Sequence, residues 1–259
     1  MSRHILLTIA LTLISPLGVA VEHFGYEVVD KKPQSRDLKV QGLQILNDKL
    51  YVSSGGYNKS RLLRFNFTTG ELEEERAVEA KYFAEGLTIF DDRLLLLTWK
   101  SGVVFVYNKD TLQGLKRLEI PTQGWGITHN SEELIYSDGT DRLYFLSPET
   151  YQYTRAVRVT LNGAPLPRLN ELEWINGKVW ANVWQTDQVV IIDPSSGVVE
   201  GVINLQGLLP VPERLSGTDV LNGIALNPAD GGVWVTGKYW PWMYRIELVP
   251  VAGVSEKTL

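Results

Sequence analysis

Residues Glu85 to Trp99 read EGLTIFDDRLLLLTW, and four other stretches of the 259-residue chain follow the same plan. They are QGLQILNDKLYVSSG from Gln41, WGITHNSEELIYSDG from Trp125, NELEWINGKVWANVW from Asn170 and NGIALNPADGGVWVTGK from Asn222. Each opens on a polar or aromatic residue, continues with Gly or Glu and then Leu or Ile, and runs on as a short strand. A polar turn and a second apolar strand follow. Successive starts lie 44, 40, 45 and 52 residues apart. Self-similarity at such a period marks a solenoid or a propeller, in which every repeat is one supersecondary unit.

Outward from Glu85, the second unit predicts strands near Glu85–Phe90, Arg93–Trp99, Gly102–Tyr107 and Gln113–Ile120. They are separated by Asp91-Asp92, Lys100-Ser101-Gly102 and Asn108-Lys109-Asp110, all turn chemistry. Four short strands per unit describe a propeller blade. The fifth unit has a third strand at Met243–Leu248 and no convincing fourth. The strand-like Phe24–Asp30 belongs to no unit, so it is expected to complete the last blade and close the ring. The predicted fold class is all-β: a five-bladed β-propeller, four antiparallel strands per blade, with the N-terminal strand closing the last blade. Two loops exceed the blade plan, Leu161–Arg168 and Gln206–Val220. Long loops in compact domains are often functional, and drift in loop length is the other reading.

A net charge of −5 gives no electrostatic footprint for nucleic acid. The absence of cysteine removes disulfides, thiolate metal sites and a cysteine nucleophile, and suits an oxidising compartment. Arg3 and His4 precede an apolar run from Ile5 to Ile14, and Gly18-Val19-Ala20 offers small residues for cleavage. Residues 1–20 therefore read as a secretory signal peptide, against the alternatives of an uncleaved anchor or a buried N-terminal helix. Residues 21–259 form one expected domain. It would be exported, to the periplasm in a Gram-negative cell and otherwise secreted, with no membrane association after cleavage, and as a monomer.

The start of strand one and the end of strand two meet in a hairpin, so both lie on one face of the ring. The starts are Gln41, Glu85, Trp125, Asn170 and Asn222; the ends are Gly55, Trp99, Gly139, Trp184 and Lys238. These positions differ in kind where pure packing would keep them alike, which points to a ligand site with distinct subsites. Glu85 is the only carboxylate in the set, and neighbouring indoles would desolvate it towards general acid/base use. The other reading is a glutamate bonded to backbone amides at a strand start. Lys238 would either hold a developing oxyanion or pair with a nearby carboxylate. Trp99, Trp125 and Trp184 could wall a pocket and hold an amine by cation–π contact. Trp174, Trp180 and Trp234 fall inside strands and read as packing. His129, alone inside the repeats, reads as a hydrogen-bonded core residue, and a dedicated zinc site is improbable.

The segments FAEGLT (Phe83 to Thr88), LTWK (Leu97 to Lys100), GWGITH (Gly124 to His129), SDGT (Ser137 to Thr140), NELEWINGKVWANVWQTD (Asn170 to Asp187), LNGIA (Leu221 to Ala225) and VTGKYWP (Val235 to Pro241) resemble the plant and bacterial type of glutaminyl-peptide cyclotransferase. The resemblance covers nearly all of the mature chain. It implies a five-bladed propeller and a metal-independent aminoacyltransferase without a cofactor. Its substrates would be peptides or proteins with N-terminal glutamine, converted to pyroglutamate with release of ammonia. Residue by residue, it places the catalytic glutamate on Glu85 and pocket residues on Gln41, Phe83, Trp99, Trp125, Asn170, Trp184 and Lys238. Lys39-Val40 stands where the family usually has Phe-Thr, which replaces an apolar wall with a charge. Two other classes remain open on the residues alone. One is a non-catalytic propeller binding a peptide or partner protein at the channel mouth. The other is a metal-dependent lactonase type, which needs several converging carboxylates.

Overall fold

The computed structural model describes residues 20–251. The expected leader, Ala20 apart, lies outside them. Strand β1 (Glu22–Pro33) precedes the repeats. The first repeat folds as β2 (Val40–Leu46), β3 (Lys49–Ser54), β4 (Arg61–Asn66) and β5 (Leu72–Ala77). The second gives β6 (Ala84–Phe90), β7 (Arg93–Thr98), β8 (Val103–Asn108) and β9 (Gly114–Glu119), each within about one residue of its expected bounds. The third gives β10 (Ile127–His129), β11 (Leu134–Ser137), β12 (Arg142–Leu146) and β13 (Tyr153–Arg158). A small hairpin, β14 (Thr160–Leu161) with β15 (Ala164–Pro165), fills the first long loop. The fourth repeat gives β16 (Leu169–Ile175), β17 (Lys178–Val183), β18 (Gln188–Ile192) and β19 (Val199–Asn204). The fifth gives β20 (Leu221–Asn227), β21 (Gly232–Gly237) and β22 (Trp242–Pro250). Among the described residues there is no α-helix, only a 3-10 turn at Val211–Glu213 in the second long loop.

Each of the first three repeats is a four-stranded antiparallel sheet. The fourth and fifth share an eight-stranded sheet of order β16-β17-β18-β19-β1-β22-β21-β20. As expected, β1 pairs antiparallel with the last strand, from Phe24 opposite Pro250 to Pro33 opposite Trp242. Unexpectedly, its first residues Glu22–Phe24 also pair parallel with Gly201–Ile203 of β19. A strand shared by two outer edges leaves no composition signal of its own, because Glu22-His23-Phe24 looks the same with one partner or two. The tight links obey local rules. Asn47-Asp48 and Asn176-Gly177 hold positive φ at both residues (51° and 58°; 50° and 80°), as a two-residue type I′ hairpin needs.

Burial runs from the inside of each sheet to its rim. Strand β7, RLLLLT, is buried almost throughout because neighbouring sheets cover both its faces, whereas β5, LEEERA, is exposed throughout. Such charged outer strands discourage edge-to-edge association. The first strands pack in a cycle: β2 on β6, β6 on β10, β10 on β16, β16 on β20, and β20 back on β2. Trp234 is buried edge-on against Phe67, and Trp180 is buried in the apolar layer beneath β20, so both are packing residues as expected; Trp174 packs half-buried against the neighbouring layer.

The axis of this cycle holds two buried acids. Glu171 accepts from the Ile224 amide at 2.8 Å and Glu173 from the Leu226 amide at 2.9 Å. Burial pushes the Glu173 carboxyl up to about 8, against the pull of the Leu226 and Trp174 amides. Burial, reinforced by Glu173, holds Glu171 well above the usual carboxylate range. Such groups keep in the folded state a proton that the unfolded chain releases. The stability they confer is full below the unfolded pKa of about 4.3 and is lost as pH rises through the folded value. Thermal stability should therefore decline between about pH 5 and 9, by up to ~1.4 kcal/mol per pH unit for each such group. Glu173→Gln, which keeps an acceptor for the Leu226 amide, should flatten that decline in melting curves. An unchanged slope would show that Glu173 is ionised in the folded protein.

Candidate active site

The first strands enter their sheets through bulges. In β6, Ala84 faces Thr98 and the next pair is Leu87 with Leu96, so Glu85 and Gly86 stand outside the ladder. Gln41, Asn170 with Glu171, and Asn222 with Gly223 are skipped in the same way in β2, β16 and β20. Trp125 and Gly126 immediately precede β10. A bulge re-aims a side chain, and here it turns the opening residue of a repeat away from the ladder. The freed backbone groups are met by neighbouring repeats. Ser53 donates to the Glu85 carbonyl at 2.5 Å, the Gly86 amide to the Trp125 carbonyl at 2.7 Å, and Ser137 to the Asn170 carbonyl at 2.7 Å.

All eight expected site residues line one cavity of about 200 Å³. Gln41, Phe83, Glu85 and Trp99 come from the first two repeats, and Trp125, Asn170, Trp184 and Lys238 from the other three. Glu85 is only 6% exposed and accepts a hydrogen bond from Gln41 Nε2 at 3.2 Å. The second amide atom of Gln41, Oε1, is buried without a partner. Burial pushes the Glu85 carboxyl up to about 8, opposed by the charges of Lys238 and Lys39. Burial likewise lowers the Lys238 ammonium, opposed by Glu85 and Asp219. No ion pair within 4 Å joins these groups among the described residues. Acid and amine line one buried space and influence each other by charge without direct contact.

The walls are aromatic. Phe83 meets Trp99 edge-on at 5.6 Å, and Trp125 meets Trp184 edge-on at 5.4 Å. Two ends of second strands that carry no side chain explain how the rings fit. A Cβ on Gly55 would collide with the Phe83 ring, and one on Gly139 would come within 2.6 Å of the Trp125 indole. These glycines are seats for rings, so they belong to the site without lining it. Asn222 is the opening residue that does not reach the cavity. It is fully buried and donates to the Val40 carbonyl at 3.0 Å, closing the last repeat onto the first.

Lys39, Gln185, Asp219 and Val220 also line the cavity. Gln185 follows Trp184 directly. Asp219 and Val220 end the second long loop, and the Lys238 amide donates to the Val220 carbonyl at 2.9 Å. The length of that loop was the one signal that could have found them. His129 shares a hydrogen bond with Thr88 Oγ1 at 2.9 Å and meets Phe90 edge-on, and burial lowers its pKa, so it is the core residue expected. Among the described residues no three His, Cys, Asp or Glu side chains are grouped as metal ligands would be.

Fold and cavity together describe an enzyme built from β-sheet repeats, with one desolvated acid among indoles, carboxamides and a buried amine. The chain belongs to the glutamine cyclotransferase family, whose sequence profile matches residues 4–248. It is 40% identical over 235 residues to the glutaminyl-peptide cyclotransferase of Arabidopsis thaliana, covering 88% of this chain and 73% of that one. It superposes on the crystal structure of Myxococcus xanthus glutaminyl cyclase with a TM-score of 0.83 and 29% identity, over 90% of this chain and all of that one.

The ring seats are testable. Gly139 has φ of 82°, so Gly139→Ala meets both a backbone penalty and the Trp125 ring. The variant should lose ~1–2 kcal/mol in urea denaturation and shift the intrinsic tryptophan emission. A change in neither would mean that Trp125 does not rest on Gly139.

Proposed function

We propose that the chain is a metal-independent glutaminyl-peptide cyclotransferase with Glu85 as general acid and base. The observation that carries this reading is the buried Glu85 carboxyl, hydrogen-bonded by Gln41 and walled by Trp99, Trp125 and Trp184. The fold we propose for it is a five-bladed propeller. The cycle of first strands supports this, as does division of the eight-stranded sheet into β16–β19 and β20–β22 with β1. We also propose that it works as an exported, processed form beginning near Val21. β1 begins at Glu22, so a cut after Ala20 leaves every described strand whole.

The reaction joins the α-nitrogen of an N-terminal glutamine to its own side-chain carbonyl carbon and expels the amide nitrogen as ammonia. The γ-glutamyl acyl group passes from one nitrogen to another, which makes this an aminoacyl transfer. Glu85 takes a proton from the α-ammonium, freeing the lone pair that forms the new C–N bond. It returns that proton to the departing nitrogen as the old C–N bond breaks, then takes the second proton of the ring nitrogen and passes it to the released ammonia, which leaves as ammonium, so the carboxylate is regenerated. Attack is intramolecular, and the indoles favour the folded glutamine conformer and exclude water. Gln41 Oε1, an acceptor without a partner, suits an amine N–H. Lys238 and the Asn170 side chain suit the carbonyl oxygen as it gains charge.

The reactive state has ionised Glu85 and a protonated substrate amine, or the equivalent state with the proton moved across. The free-enzyme profile of kcat/KM should rise as Glu85 ionises and fall as the substrate ammonium, with pKa of about 7.7–8.0, is lost. The result is a bell with its maximum near pH 8. Glu85→Gln should lose about 10²- to 10⁴-fold in turnover with melting behaviour retained. Ammonia release from a short glutamine peptide, with and without a chelator, is the measurement. Release that stops in chelator would refute metal independence, and near-normal turnover of Glu85→Gln would refute the role of Glu85.

A further inference from the structure

Lys39 is held at the backbone and free at its tip. Its amide donates to Ser54 Oγ at 3.0 Å and its carbonyl accepts from the Gly55 amide at 3.0 Å. The half-buried side chain lines the cavity with Glu85, and its ammonium lies 5.7 Å from the centre of the Phe83 ring and 6.0 Å from that of Tyr239. Among the described residues it forms no ion pair and donates no side-chain hydrogen bond. The other acid that lines the cavity besides Glu85, Asp219, is exposed and forms no ion pair with it. A cation held between two rings, partly out of water and without a carboxylate, is half of a charge-assisted contact.

An aromatic row that leads from the cavity to the surface supplies the other half. Glu85 is almost wholly buried, so the reacting glutamine occupies the inner end. Phe83 continues outward into Tyr57, which it meets edge-on at 5.5 Å and which is 48% exposed. Lys39 stands over this aromatic row at Phe83. Lys100, exposed, stands over it again at Trp99, 4.1 Å from the ring. A residue after the glutamine that leaves the cavity along this row passes Lys39 first and Lys100 beyond it.

We propose that Lys39 forms a subsite for an acidic side chain at the residue following the N-terminal glutamine, with Lys100 extending the cationic edge beyond it. The proposal rests on the cyclotransferase reading and narrows it to peptides of the Gln-Glu and Gln-Asp type. Lys39 also lowers the pKa of Glu85 through its charge. That effect acts on every substrate alike and cancels in a ratio of two peptides, so the ratio isolates the subsite.

The test compares kcat/KM for the amides of Gln-Glu-Ala and Gln-Gln-Ala at one pH and low ionic strength. The folded wild-type protein should prefer the acidic peptide by about three- to fivefold, as expected for a partly exposed ion pair. Added salt should erode the preference. Lys39→Met should bring the ratio to about one, and Lys39→Glu should invert it, making the amide of Gln-Lys-Ala the better substrate. A wild-type ratio of one, or a ratio that survives both substitutions, overturns the subsite while cyclisation of Gln-Gln-Ala amide keeps the underlying reading intact. Failure of the wild-type protein to release ammonia from either peptide overturns both.

Discussion

The structure depends on how closely its first strands crowd a common axis. The residue after each opening residue is Gly42, Gly86, Gly126 and Gly223 in four repeats, and Glu171 in the remaining one. A Cβ on Gly126 would collide with the Asn170 carbonyl oxygen, so the crowding tolerates no side chain there. The remaining repeat carries Glu171, whose side chain accepts from the Ile224 amide of the next repeat. The same crowding prevents the strands from pairing normally at their first residues. They bulge, and the bulges turn Gln41, Glu85 and Asn170 towards the cavity. Bulges and cavity are consequences of one packing constraint.

Three glutamates near the axis show how partners decide what burial does. Burial raises the pKa of Glu85, Glu171 and Glu173 alike. Glu171 and Glu173 accept backbone amides of the neighbouring repeat, and neither lines the cavity, so their protons are engaged only by folding. Glu85 accepts a side-chain amide and faces open space, with two lysines exerting opposing charge from a distance. Desolvation sets its proton affinity, and no fixed ion pair among the described residues engages it.

What the sequence made legible was whatever recurs. The turn dipeptides and the apolar runs of the second repeat place β6 to β9 to within about one residue, and the missing fourth strand of the last repeat predicts the pairing of β1 with β22. Opening and closing residues aligned across repeats bring together seven of the eight expected cavity residues, and Phe83 came from resemblance alone. The remainder was hidden because it breaks the repeat. Asn222 looks like any other opening residue, yet it bonds to Val40 because the ring must close on itself there. Asp219 and Val220 come from a loop with no counterpart in other repeats. Gly55 and Gly139 read as blank positions, though each is defined by the ring that occupies the space above it.

The arrangement also accounts for action at a chain terminus. The acid lies at the closed end of a cavity of about 200 Å³, beneath rings that rest on glycines and on one another. A glutamine within a polypeptide would have to thread two chain segments past these rings, whereas an N-terminal one brings a single segment and its own nucleophile. An internal residue also lacks the free amine that closes the ring. Geometry and chemistry thus impose the same restriction.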